Sequence, residues 1–338
     1  MTTKTSMQDI ADHLGISKNA VSLALNQKAG VSEELRARVF EAAKRLNYRT
    51  EAKVNKKKRS NLLVLLPEYI RNDTVFYYEV YGAIEKRAQE HGYTAVMCSV
   101  TQEMEAQLLL PELYHDIVFH GILLVGVLSH SYVRSINALE LPLVTVDHYY
   151  DSLQLDAVVT ANVEEAYKIV TYLIDKGHRQ IGFIGAIEMT KSFKERWTGY
   201  QNAMSDAGLA VDPTHCLTSG APLDALNTNP AELSAHLDAM TSMPTAWFCA
   251  NDRIAIALIH LLSSKGYKVP EDISIVGFDD IEAARMIYPR LTTIQVPREQ
   301  LGYESVDFLI RKIECAGSPA KIAIFGQLVE RDSCRAAE

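Results

Sequence analysis

Residues 6–26 read S-M-Q-D-I-A-D-H-L-G-I-S-K-N-A-V-S-L-A-L-N. Ser6 places a hydroxyl ahead of Met7-Gln8-Asp9, with a carboxylate three residues on, the reciprocal pattern that caps a helix N-terminus. Ile10, Ala11 and Leu14 supply a short apolar face, and Gly15 stands where a helix most easily ends in a left-handed residue. Ser17 can cap a second helix, whose Ala20, Val21, Ala24 and Leu25 recur at helical spacing. After a loop over residues 26–30, Ser32 with Glu33 and Glu34 opens a third helix carrying Leu35, Val39, Ala42, Ala43 and Leu46. Two short helices one tight turn apart, buttressed by a third, predict a helix-turn-helix. A three-helix bundle used for protein contact has the same apolar pattern. The outer face of the second helix favours the former, because Ser17, Lys18, Asn19, Ser22 and Asn26 all suit base edges or phosphate oxygens.

Charge is distributed in keeping with this. The chain of 338 residues carries a net charge of −8, which alone argues against nucleic acid. Residues 1–60 nevertheless hold thirteen Lys/Arg against six Asp/Glu, a surplus of +7, and the remainder carries −15. A basic arm facing phosphates and an acidic body held off them is the implied arrangement. A composition 48% hydrophobic and 22% charged suits a folded chain of two or three compact units. No stretch approaches the roughly 18 apolar residues of a membrane helix, and Met1–Gln8 has no apolar signal core. A cytoplasmic location without membrane partners is therefore expected. The five cysteines (Cys98, Cys216, Cys249, Cys315, Cys334) are odd in number and unpaired in spacing, as for reduced thiols.

From Leu62 onward short β-rich apolar runs alternate with amphipathic stretches. The runs are Leu62–Leu66, Thr94–Cys98, Gly121–Val125, Leu143–Val146 and Ala157–Val159, then Gln180–Ile184, Ala246–Cys249 and Ile273–Val276. Helical segments fall at Tyr81–His91, Val163–Lys176, Arg196–Ala207 and Arg253–Lys265. Such alternation predicts an α/β fold with doubly wound parallel sheets, and two sets of strands predict two lobes with a cleft at the C-terminal strand ends.

The runs D-I-A-D-H-L-G-I-S-K-N-A-V-S-L-A-L-N and V-S-E-E-L-R-A-R-V-F-E-A-A-K-R-L-N-Y resemble the head of the lactose/galactose-repressor family of bacterial transcriptional regulators. The resemblance continues through F-Y-Y-E-V-Y-G-A-I-E, H-G-I-L-L-V-G, L-P-L-V-T-V-D, K-G-H-R-Q-I-G-F-I-G, E-R-W-T-G-Y, P-T-A-W-F-C-A-N-D-R, V-P-E-D-I-S-I-V-G-F-D-D and L-T-T-I. It covers nearly the whole chain and is weakest between Leu209 and Ala235. It implies a helix-turn-helix head (residues 1–49), a basic hinge (50–61) and a two-lobed, periplasmic-binding-protein-like effector and dimerisation domain (62–338). The implied function is a homodimeric regulator, expected to be a repressor, on pseudo-palindromic double-stranded operator DNA, controlled by a sugar or sugar phosphate bound between the lobes. A sugar-binding transport protein is the alternative that the body alone would support.

By this resemblance Lys18, Asn19 and Leu23 read bases, with Ser6, Ser17, Ser22, Asn26 and Ser32 near phosphates. Leu23 stands where many members carry arginine; it cannot pair bidentately with guanine but can pack on a thymine methyl. Residues 49–61 contain no leucine for the family's minor-groove wedge, and Lys57 occupies its position. Lys56, Lys57, Lys58 and Arg59 are expected to bind phosphates instead, with Val54 as a weak wedge; a basic linker that never orders is the alternative. In the body the resemblance implies effector contacts from Phe76, Tyr77, Asp147, Ser192, Arg196, Asn251 and Asp279. Arginine and asparagine donate to hydroxyls while carboxylates accept, a sensible polyol clamp. Asn251 and Asp279 would equally serve as helix caps, and Asp147 as a turn anchor. Ala161-Asn162 replaces the family's Asp-Asn, removing one acid, and Arg298 facing the pocket would admit an anionic effector. Phosphate-loop, zinc-protease and nucleophile-elbow motifs are missing, so neither catalysis nor a cofactor or metal is expected. His115 and His120 are placed in a surface loop.

Overall fold

The computed structural model describes residues 6–25, 30–46, 60–71, 76–219 and 230–337. The chain divides into two compact units, Met1–Arg59 and Ser60–Glu338. In the smaller, α1 (Met7–Leu14), α2 (Lys18–Leu25) and α3 (Glu33–Arg45) form where local chemistry directs them. Ser6 and Asp9 close a capping box, the Ser6 amide donating to Asp9 at 2.6 Å and the Asp9 amide to Ser6 Oγ at 3.4 Å. Gly15 ends α1 at φ +65°. Ser17 Oγ accepts from the Ala20 amide and Ser32 Oγ from the Leu35 amide, so both later helices are capped as their sequences imply. Ile10, Ala11, Val21, Ala24, Val39, Ala42 and Ala43 make the core.

The larger unit contains two parallel sheets. The first is built from β1 (Ser60–Pro67), β2 (Tyr93–Val100), β3 (Phe119–Val125), β4 (Leu143–Val146) and β5 (Asp156–Thr160), and from β11 (Lys321–Ile324), in the order β11-β5-β4-β3-β1-β2. Both faces of this sheet are covered. Leu62, Val64 and Leu66 of β1 point into one apolar layer, and Leu63 and Leu65 into the other. A strand buried on both sides reads as the continuous apolar run seen at Leu62–Leu66. The second sheet places β6 (Ile181–Ile184), β7 (Cys216–Leu217), β8 (Ala246–Cys249) and β9 (Ser274–Val276) in the order β7-β6-β8-β9.

The chain passes between the lobes three times. It leaves β5 for the helix Asn162–Asp175, returns through β10 (Thr293–Gln295) to the helix Arg298–Glu314, and leaves again after β11 through β12 (Gln327–Val329). The antiparallel β10–β12 ribbon ties two of these passages together. The last residues rejoin the second lobe, where the Ile275 amide donates to the Ser333 carbonyl.

The eight expected runs all lie on strands or at their edges, and β1 begins at Ser60, two residues earlier than Leu62. Two helices start well before their expected positions. The one placed at Tyr81–His91 spans Phe76–Glu90, because Phe76, Val80, Ala83 and Ile84 extend the buried stripe a turn further. The one placed at Arg196–Ala207 spans Lys191–Asp206, since Thr190 caps it through the Phe193 amide. His115 and His120 do not share a loop: His115 lies on the short helix Leu113–Asp116 and His120 within β3. Among the described residues no helix is long and apolar enough to cross a membrane.

Gly199 sits where the helices Lys191–Asp206 and Asn162–Asp175 cross, and a Cβ there would collide with the Val163 carbonyl. Gly82, also helical, has open space around it. Gly199→Ala is expected to destabilise the body by about 1–3 kcal/mol. Gly82→Ala should be neutral or stabilising by up to about 1 kcal/mol. Denaturant unfolding of the two variants checks this; equal effects would show that Gly199 does not limit the approach of the helices.

Candidate functional site

On the head, Ser17, Lys18 and Asn19 are exposed, and Ser22 and Leu23 are half-buried. The methyl end of Leu23 lies against Gly30, where an added Cβ would meet it at 3.4 Å. Ser6, Ser17 and Ser32 spend their hydroxyl oxygens as caps, which leaves each hydroxyl hydrogen for an acceptor such as a phosphate. Asn26, Lys56, Lys57, Lys58 and Arg59 lie outside the described residues.

In the body, the cleft is organised around Arg196, on the helix Lys191–Asp206 and only 4% exposed. Its Nε donates to Asn162 Oδ1 at 2.9 Å and one terminal nitrogen to the Ala250 carbonyl at 2.6 Å. The other terminal nitrogen lies 3.1 Å from Asp279 Oδ1. The flat guanidinium covers the Phe278 ring at 3.7 Å, with Phe193 at 5.9 Å. Asp279 has φ +112° and does not cap a helix. Its amide donates to the Ile294 carbonyl and its carbonyl accepts from Arg298, so the backbone is held at the crossover. Burial raises the Asp279 carboxyl above its ordinary value, against the pull of Arg196 and Arg298.

Asp147 follows β4 from the first lobe at φ +62°. Tyr77 donates its phenol to Asp147 Oδ2 at 2.8 Å. Desolvation pushes this carboxyl up to about 6; the Tyr77 bond and the Arg196 charge oppose the rise, while Asp279 and Glu195 add to it. Asp147, Asp279 and Asp280 (φ +53°) all adopt the left-handed region, which costs a non-glycine residue on the order of 1–3 kcal/mol. Aspartate tolerates it best among charged residues, and the concentration of such strain at a cleft is a mark of function. Asn251 accepts the Ile254 amide at 3.0 Å and so caps the helix Asp252–Ser264; its side-chain nitrogen makes no hydrogen bond among the described residues. Ser192 Oγ lies 3.0 Å from Thr190 Oγ1, and Phe76 is buried with Arg298 5.7 Å from its ring.

Several residues act here in roles that the sequence reading did not assign to them. Asn162 links Arg196 to Glu195, donating to Glu195 Oε2 at 3.0 Å. Contacts that span the lobes include Tyr149 to Glu195 at 2.9 Å, Lys191 to Asp151 at 2.6 Å, and Arg298, paired with Glu79 in the first lobe, to the Asp279 and Asp280 carbonyls of the second at 2.9 and 3.4 Å. Buried Asp252 takes Thr293 Oγ1 at 2.5 Å and the Ile281 amide at 2.9 Å, holding the turn after β9. The only signals were Asn162 in Ala161-Asn162 and Phe278 in V-G-F-D-D. Arg298, considered as an anion site, gives its nitrogens to Glu79 and to the carbonyls of Asp279 and Asp280. Among the described residues no His, Cys, Asp or Glu cluster could hold a metal.

A helix-turn-helix head joined to a two-lobed body with a polar cleft defines a DNA-binding transcriptional regulator with a ligand-binding domain. The model for bacterial regulatory proteins of the lacI family matches residues 6–51, and that for a periplasmic binding protein-like domain matches 170–334. The chain belongs to the lacI family. It is 32% identical to the HTH-type transcriptional repressor PurR of Pasteurella multocida over 98% of both chains. It is 31% identical to the ribose operon repressor of Haemophilus influenzae over 91% of this chain and 92% of that one. Its fold matches the lac repressor dimer bound to operator and the anti-inducer ONPF (TM-score 0.74, 22% identity, 99% of this chain and all of that one). It also matches a CelR–cellobiose complex (TM-score 0.71, 22% identity, 98% and 100% covered).

Arg298 is 7% exposed on its side chain and Glu79 is 54% exposed. Arg298→Ala takes the charged donor from two carbonyls of a strained turn, leaving that of Asp279 only the long bond from the Val296 amide, and is expected to cost about 1–3 kcal/mol. Glu79→Ala removes a largely solvated partner and should cost under about 1 kcal/mol. Denaturant midpoints of the two variants check the asymmetry, and equal losses would show that the ion pair alone matters.

Proposed function

We propose that the protein represses transcription as a homodimer, each copy placing α2 on one half of a pseudo-palindromic operator. A carbohydrate-like effector between the lobes changes the affinity for DNA. The observation that carries this is the cleft itself: Tyr77–Asp147 from one lobe meets the Arg196–Asp279 pair from the other, so one ligand touching both carboxylates ties the two lobes. The relative named for ribose and the neighbour holding cellobiose support a sugar as the effector class. Apolar side chains exposed on the body support a second copy: Met97 on the edge strand β2, Val118 beside β3, and Met286 and Tyr288 on the second lobe. The protein works in the cytoplasm, where its DNA is, and catalyses no reaction. Residues 1–49 serve as the head, 50–61 as a phosphate-binding hinge and 62–338 as the sensor. Phe76, Ser192 and Asn251 complete the contacts to the effector.

Lys18, Asn19 and Leu23 set the operator sequence, with Ser6, Ser17, Ser22, Asn26 and Ser32 on phosphates. Selection of genomic fragments by the purified protein is expected to return a pseudo-palindrome. Its affinity should fall steeply as salt rises, in proportion to the phosphates neutralised. Asn19→Ala should weaken binding to that site by about 1–3 kcal/mol and relax one base position. Lys56, Lys57, Lys58 and Arg59 replaced together by glutamine should flatten the salt dependence. Recovery of no preferred sequence would refute the assignment of α2.

A further inference from the structure

The balance of donors and acceptors in the cleft decides what charge its ligand carries. Arg196 has all its nitrogens engaged by Asn162, Ala250 and Asp279. Arg298 is engaged by Glu79 and two carbonyls. Lys191, at the rim, is held by both oxygens of Asp151. Arg253, itself engaged, adds a charge that acts on Asp279. The acidic side is the reverse. Among the described residues Asp147 Oδ1 accepts no hydrogen bond, and the buried Oδ1 of Asp279 has only its ion-pair contact with Arg196. Uncharged donors for a ligand remain on Asn251 and Ser192.

We infer that the effector carries no negative charge and is recognised as a hydrogen-bond donor, a neutral polyol or an amine-bearing sugar, with Asp147 as the residue that rejects phosphorylated forms. This rests on the cleft being the effector site and narrows the class it takes. A phosphate would meet two buried carboxylates, and Arg196, the buried cation that acts on both, is already paired with Asp279. Hydroxyls or an ammonium would supply the protons that Asp147 and Asp279 lack.

The groups that bear on Asp147 are Tyr77 from the helix Phe76–Glu90, Arg196 and Glu195 from Lys191–Asp206, and Asp279 from the turn after β9. Their sum leaves its charge unfavourable, in agreement with a carboxyl raised to about 6. A carboxyl raised on folding takes up a proton as pH falls through that value, so its penalty is present at pH 7 and fades towards pH 5. Asp147→Asn keeps an acceptor for the Tyr77 phenol and removes the charge. The test is thermal unfolding of wild type and Asp147→Asn at pH 7 and pH 5, with ribose, glucosamine, ribose 5-phosphate and glucose 6-phosphate as probes at pH 7. The expected result is a variant more stable by about 2–4 °C at pH 7, with the gap closing at pH 5, and no stabilisation of wild type by either phosphate. A variant no more stable than wild type at pH 7, or a phosphate that stabilises wild type more than ribose does, would overturn the inference. Neither arm uses DNA, so loss of this inference is separable from failure of the operator selection.

Discussion

A buried guanidinium is tolerated only when its charge is met, and Arg196 finds a partner for each of its three nitrogens in groups drawn from three separate segments. Asn162 opens the first helix of the second lobe, Ala250 follows β8, and Asp279 lies in the turn after β9, its amide bonded to Ile294 of the crossover back to the first lobe. Phe278 closes the flat face of the ion. Removing a charged partner from such a site costs several kcal/mol, more than most single contacts in a domain contribute. Arg196 is thus the fixed point that sets where Asp279 stands, and through Asp279 where Arg298 and the crossover stand. A ligand that touches Asp279 acts on an element already bound to three others.

That arrangement explains how the cleft can report on its contents. Arg298 joins the carbonyls of Asp279 and Asp280 to Glu79, on the helix that also carries Phe76 and Tyr77. Asp280, only 1% exposed, is further held by Arg285, Arg331 and Gln295. Burial would raise its carboxyl, but the arginine hydrogen bonds outweigh that and lower it. The two sides of the cleft are joined by polar contacts of defined length rather than by apolar packing alone. Such contacts have discrete alternatives, and a coupling of about 1–3 kcal/mol between ligand and DNA needs only a modest difference between two of them.

How much of this was legible depended on how local the determinants were. The head was readable because Ser6–Asp9, Gly15, Ser17 and Ser32 act within three or four residues of themselves. The sheets were readable because strands covered on both faces are apolar throughout, as at Leu62–Leu66. Helix starts at Phe76 and Lys191 were missed, since the first turn of each carries polar or aromatic residues whose burial depends on the fold. The candidate cleft residues came from a family resemblance and not from spacing. What their side chains do was beyond the sequence: Arg196, expected as a polyol clamp, has a protein partner on each nitrogen, and Arg298, considered as an anion site, is paired with Glu79. Asn251 does cap its helix; Asp279 does not, and spends its backbone on the crossover. Partners so far apart in the chain leave no periodic trace.

The dependence of the cleft on Arg196 is tested most directly by a double-mutant cycle between Arg196 and Asp279. Stability would be measured by denaturant unfolding for Arg196→Met, Asp279→Asn and the double variant. Each single change strands a buried partner, so the account expects the double variant to be less damaged than the sum of the singles, with a coupling energy of about 1.5–3 kcal/mol. Losses that add to within about 0.5 kcal/mol would contradict it, showing that the two residues hold the cleft independently.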